Sequence, residues 1–137
     1  MSNLLVVDDE QSICWGIRRL GEKMGHVVLT AASAEQGLEC VRTAPVDVII
    51  LDVRLPGMDG LSAMEQLRQY VGPIPIIVIT AYGSSQSAEE SIAAGAYDYI
   101  TKPFRKDQIL ITINRALEWG AMKKELASLQ GQQKKEI

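Results

Sequence analysis

Apolar residues gather in short runs along this chain, and stretches with helical spacing separate the runs. Residues 4–8, LLVVD, read as a buried strand; residues 12–24, SICWGIRRLGEKM, place Ile13, Ile17, Leu20 and Met24 along one helical face. HVVLTA at 26–31 is a second strand. Beyond it Ser33 fits an N-cap, with Gln36 three residues on as in a capping box, for the helix AEQGLECVRT. VDVIILD at 46–52 is almost unbroken in Val, Ile and Leu, and Asp47 imposes no strict alternation, so this third strand is covered on both faces. LSAMEQLRQY at 61–70 is the third helix, with Asp59 fitting its N-cap. PIIVIT at 75–80 is the fourth strand, and a helix near 85–94 ends at Gly95, a suitable C′ glycine. YDYIT at 97–101 is the fifth strand, and a long helix starts around Lys106. Strict strand–helix repetition predicts a parallel α/β sheet with right-handed crossovers and helices on both faces.

The chain has 137 residues, which allow one domain with a tail. A net charge of −3 argues against nucleic-acid binding through a basic surface. The N-terminus meets three acids within ten residues, unlike a signal peptide, and no run reaches membrane-spanning length. Cys14 and Cys40 lack CxxC spacing and the single His26 cannot complete a zinc set, so the thiols read as free in a reducing cytoplasm.

The strand ends carry the chemistry. Strand one ends in Asp8-Asp9, strand three in Asp52 and strand four in Thr80, while strand five leads into Lys102-Pro103. In a doubly wound sheet these carboxyl ends share one edge, where ligands bind. Three carboxylates brought together repel unless a cation neutralises them, and an all-oxygen set suits a hard ion, Mg²⁺ above all. A carboxylate beside Mg²⁺ can act as a nucleophile toward a phosphoryl group, with Thr80 and Lys102 placed to bind phosphoryl oxygens. These parts match phosphoryl transfer onto Asp52. Glu10 reads as a helix first-turn acid favoured by the dipole. Trp15 is either a residue packed at the helix margin or a docking contact beside the acids.

The order DD, then D followed by PGMDG, then T, then K-P resembles the response-regulator receiver domain of bacterial two-component signalling, over residues 3 to 120. The resemblance implies a flavodoxin-like (βα)5 fold with strand order 2-1-3-4-5. It implies that Asp52 accepts a phosphoryl group from a sensor histidine kinase. Asp8, Asp9, Asp52 and the Arg54 backbone carbonyl would hold Mg²⁺, with Asp9 the more direct ligand and Asp8 acting partly through water. Thr80 and Lys102 would bind the phosphoryl group. By the same resemblance the Lys102–Pro103 bond is cis, and Tyr99 is a switch aromatic that rotates inward as Thr80 moves, altering the surface of helix four, strand five and helix five. Pro56-Gly57 would turn the chain away from Asp52. Arg54 and Tyr82, both bulky, would border the path of attacking water and slow self-dephosphorylation.

TAYGS, GAYDYITKPF and the last segment look like receivers of sigma-54-dependent enhancer-binding activators, which continue into ATPase and DNA-binding domains. The expected organisation is a receiver at 1–120 and a helical linker at 121–137. Trp119, Met122, Leu126 and Leu129 offer a seam of about two heptads that favours a homodimer, against a cost of about 1 kcal/mol each for Gly120 and Gly131 in a helix. A stand-alone receiver is the nearer alternative. A haloacid-dehalogenase-type phosphohydrolase needs a second Asp two residues after the first, and Arg54 stands there. A flavodoxin-like electron carrier needs a hydroxyl-rich first loop, and DDEQSI would repel its phosphate. Since the chemistry is confined to its own carboxylate, the chain is not read as an enzyme.

Overall fold

The computed structural model describes residues 2–55, 58–81 and 85–135, and the side chains of 2–53, 62–81 and 89–126. Five strands, β1 (Asn3–Val7), β2 (Val27–Ala31), β3 (Val48–Asp52), β4 (Ile76–Thr80) and β5 (Asp98–Thr101), form one parallel sheet in the order β2-β1-β3-β4-β5. Helices α1 (Gln11–Lys23), α2 (Ala34–Thr43), α3 (Gly60–Val71), α4 (Ser85–Ala93) and α5 (Lys106–Lys135) connect and follow the strands. This is the expected flavodoxin-like arrangement.

The pleat divides the core in two. Leu5 and Val7, Ile49 and Leu51, Ile76 and Val78 pack with Ala63, Met64 and Leu67 of α3. Their neighbours in sequence, Leu4 and Val6, Val48 and Ile50, Ile77 and Ile79, pack with Cys14 and Ile17 of α1 and with Ile109, Ile113 and Ala116 of α5. A strand lined on both faces has no use for polar alternation, which is why β3 and β4 read as continuous apolar runs.

The helix ends follow their local chemistry. Ser33 caps α2, its Oγ accepting from Gln36 N at 3.2 Å, while Gln36 Oε1 accepts from Ala32 N at 2.9 Å. After α4, Gly95 takes a φ of 107°, and the N–H of Ala96 bonds back to the Ser91 carbonyl at 3.0 Å. That left-handed turn is open to glycine at little steric cost.

One detail goes beyond the sequence expectation. Arg54–Leu55 and Met58–Asp59 pair as a short antiparallel ladder, and Pro56-Gly57 between them lies outside the described residues. As expected of a helix that continues into the last segment, α5 runs without interruption to Lys135. Gly120 is buried where a Cβ would stand 3.2 Å from Pro75 Cδ, so its lack of a side chain lets the helix pass close to the sheet's lower edge. Trp119 packs its ring on Tyr97, centroids 5.4 Å apart, and Lys124 Nζ reaches Asp47 Oδ1 at 3.1 Å. Trp119 therefore serves its own domain, whereas Met122 and Leu126 of the expected seam are exposed. Leu129 lies outside the described side chains.

Candidate functional site

The strand that opens the site is also the strand that buries it. β3 ends in Asp52, which is 4% exposed and is flanked by β1 on one side and β4 on the other. Asp8 follows β1 directly and is 1% exposed. By the alternation of the pleat, positions 4, 6 and 8, positions 48, 50 and 52, and positions 100 and 102 address the α1/α5 face. Asp8, Asp52 and Lys102 thus converge from three strands onto the same side of one edge.

Lys102 Nζ sits at the centre, 2.8 Å from Asp8 Oδ2, 3.0 Å from Asp52 Oδ2 and 3.0 Å from Glu10 Oε1. Only 8% of its side chain is exposed. Burial would lower the lysine's pKa, but its contacts with Asp8, Glu10 and Asp52 outweigh burial and hold it above the ordinary value. Burial pushes Asp8 up; Lys102 and the Glu10 N–H, which donates to Asp8 Oδ1 at 2.9 Å, offset this only in part. Asp8 Oδ2 meets Lys102 Nζ at 2.8 Å, and among the described residues no other donor reaches that buried oxygen.

A single lysine shared among these acids leaves the oxygen set to be tested for a cation. One oxygen each from Asp8, Glu10 and Asp52 lies within 4.8 Å of the others. The set is oxygen-only and carries three negative charges against one lysine, as a hard divalent ion requires.

Thr80 ends β4 on the opposite parity, with Ile76 and Val78, and is 1% exposed. Its carbonyl accepts from Lys102 N at 2.8 Å, which ties the lysine's backbone to the threonine's. Tyr99 pairs with Val78 in the β4–β5 register, so it shares Thr80's face of the sheet, where it is half-buried against the α2/α3 side of the core. The Lys102–Pro103 bond is cis.

Not every expected residue joins the cluster. Asp9 has the odd parity of its position and is exposed, outside the group formed by Asp8, Glu10 and Asp52. Glu10, read from sequence as a helix-dipole acid, is brought into the site instead. It stands at the N-cap of α1, yet its side chain makes no capping bond. Its partner Lys102 lies 92 positions away, so the sequence offered no local signal for it. Arg54 begins the ladder two residues beyond Asp52, with its side chain outside the described residues, and Tyr82 lies outside them entirely. Trp15 is 61% exposed, with the Arg19 guanidinium 4.7 Å over its ring, so it is not a core residue.

The profile of the response regulator receiver domain matches residues 4–114. The chain belongs to that family. This receiver is 32% identical over 129 residues to the regulatory protein AtoC of Escherichia coli K12, covering 94% of this chain and 28% of that protein. It is 37% identical over 125 residues to a putative NtrX-like response regulator of Rickettsia bellii, covering 90% of this chain and 26% of that protein. The receiver thus spans about a quarter of the length of these relatives. A CheY-like response regulator receiver domain from Methanospirillum hungatei superposes with a TM-score of 0.84 at 28% identity, covering 90% of this chain and 98% of that one.

Proposed function

We propose that this receiver takes a phosphoryl group from a sensor histidine kinase onto Asp52, with Mg²⁺ bound at the acidic cluster. The observation that carries the reading is the convergence of Asp8, Asp52 and Lys102 from three separate strands, with one ammonium shared between two buried carboxylates. Asp8 and Asp52 would offer carboxylate oxygens to the ion, with Asp9 and the Arg54 backbone carbonyl as further ligands. When bound, Mg²⁺ supplies positive charge to phosphoryl oxygens. Asp52 supplies the attacking oxygen, held in line by its buried strand. Lys102 and Thr80 receive phosphoryl oxygens from the two faces of the sheet, and both are already joined through Lys102 N and Thr80 O. The chemistry consumes the chain's own carboxylate, so the output is regulatory and not that of an enzyme.

The added phosphoryl brings about −1.5 to −2 charges and new acceptors. Movement of Thr80 toward it and inward rotation of Tyr99 on the same face would bias the α4–β5–α5 surface between two states. The likeness to AtoC and NtrX-like regulators supports a cytoplasmic regulatory fragment of a sigma-54-dependent activator, with α5 leading toward ATPase and DNA-binding domains and helping a homodimer. Among the described residues no helix is long and apolar enough to cross a membrane. Intact-mass measurement after acetyl phosphate and Mg²⁺ tests the core of the proposal. One added phosphoryl on the wild type, absent in Asp52→Asn and without Mg²⁺, is expected. An adduct of equal yield on Asp52→Asn would overturn it.

A further inference from the structure

Lys102 has three donor hydrogens and three carboxylate partners, but the partners are not equivalent. Asp8 and Asp52 are enclosed, with side chains 0% and 6% exposed, whereas Glu10 stands at the lip of the site, 53% exposed. Glu10 also departs from ordinary helix-start chemistry. An N-cap favours Ser, Thr, Asp or Asn, whose short side chains reach the next backbone N–H groups. Glu10 makes no such bond and sends its carboxylate to a lysine 92 positions later. Its backbone is fixed on both sides: its N–H is held by Asp8 Oδ1, and its carbonyl accepts from Ile13 N and Cys14 N.

The reaction proposed above changes the other two partners. Asp52 loses its free carboxylate on becoming an acyl phosphate, and Asp8 turns its charge toward a cation. A divalent ion held by those two acids also repels the ammonium. Of the three carboxylates that hold Lys102, only Glu10 is left uncommitted. We propose that Glu10 is a positioning residue for Lys102: it keeps the ammonium at the lip while a cation occupies the acids, so that the lysine is in place when a phosphoryl oxygen arrives. The inference rests on the phosphoacceptor reading and adds a residue to it.

A double-mutant cycle on beryllofluoride binding at saturating Mg²⁺, read by calorimetry, tests it, because coupled residues give non-additive effects. Glu10→Gln keeps the reach and drops the charge; Glu10→Asp keeps the charge and shortens the reach. Both are expected to weaken beryllofluoride about five- to tenfold in the wild-type background and to have no further effect beside Lys102→Met. A second readout needs no phosphoryl analogue: acetylation of Lys102 by acetic anhydride in saturating Mg²⁺ should be several-fold faster in both Glu10 variants. Wild-type binding left unchanged by both Glu10 substitutions would overturn the positioning role alone. A Glu10→Asp variant indistinguishable from wild type, with Glu10→Gln weakened, would also overturn it, since charge and not position would then matter. Failure of the wild type to bind beryllofluoride at all would instead overturn the phosphoacceptor reading.

Discussion

Two lysine–aspartate contacts hold opposite edges of the same sheet. At the carboxyl edge Lys102 is enclosed with Asp8 and Asp52. At the amino edge Lys124 of α5 meets Asp47 at 3.1 Å, with 62% of the lysine side chain exposed, and Asp47 Oδ2 also accepts from Asn3 N at 2.7 Å. The ion types are alike, and the surroundings decide what each contact is for. An exposed pair is screened by water and contributes at most about 1 kcal/mol, so the lower contact helps to fasten a helix. In the upper cluster the acids outnumber the cation, and burial makes any unbalanced charge costly. An edge left short of positive charge suits a cation, as the proposed phosphoryl chemistry requires. The lower edge is balanced and has no such appetite.

The comparison is broken most forcefully at Lys102. Lys102→Met should cost about 3 kcal/mol of metal-free stability at neutral pH, because it strands two buried carboxylates, and added Mg²⁺ should restore much of the loss. Urea unfolding with and without Mg²⁺ checks both halves. A metal-free midpoint equal to wild type would show that the acids do not depend on the lysine.

The pH dependence should follow the same charges. The raised Lys102 pKa contributes stability that is complete below the unfolded value of 10.5 and is lost as pH rises through the higher folded value. Asp8, also raised, contributes stability that is complete below 3.8 and is lost as pH rises through its folded pKa. Relative to wild type, Asp8→Asn should therefore gain stability as pH rises through that window, measured as urea midpoints across the acid range. A constant difference between the two proteins would contradict it.

Effects at the lower edge should be smaller. Trp119→Ala removes a tilted aromatic pair with Tyr97 and should cost on the order of 1 kcal/mol beyond its lost burial. Lys124→Ala should cost less than about 1 kcal/mol in thermal unfolding, with faster amide exchange near the Asp47 contact as its clearest trace. A loss at Lys124 as large as that at Lys102 would erase the distinction between the edges.

Much of this architecture was legible in the sequence because it depends on local pattern. Apolar runs of strand length, Ser33 with Gln36, and Gly95 each act within a few residues, and strand–helix repetition fixes the side on which the strand ends gather. Asp8, Asp52 and Lys102 were legible for the same reason: each stands at or just past the end of a strand. Glu10 was not, because its partner lies 92 residues away, and its local setting offered a sufficient explanation as a helix-start acid. Asp9 entered the ligand set by family resemblance alone; in the structure it is exposed in the bend after β1. The continuation of helix five through Gly120 was legible, but the reason for the glycine was not. A glycine in a helix reads as a weakness until Pro75, distant in sequence, is seen to need the space.

The central claim is that, of the acids at this edge, Asp52 is the one that carries the phosphoryl group. Borohydride reduction converts an aspartyl phosphate to homoserine, so peptide mapping after acetyl phosphate and Mg²⁺ treatment names the residue directly. The account predicts homoserine at position 52 and aspartate retained at positions 8 and 9. Homoserine at position 8 or 9, with Asp52 intact, would contradict it.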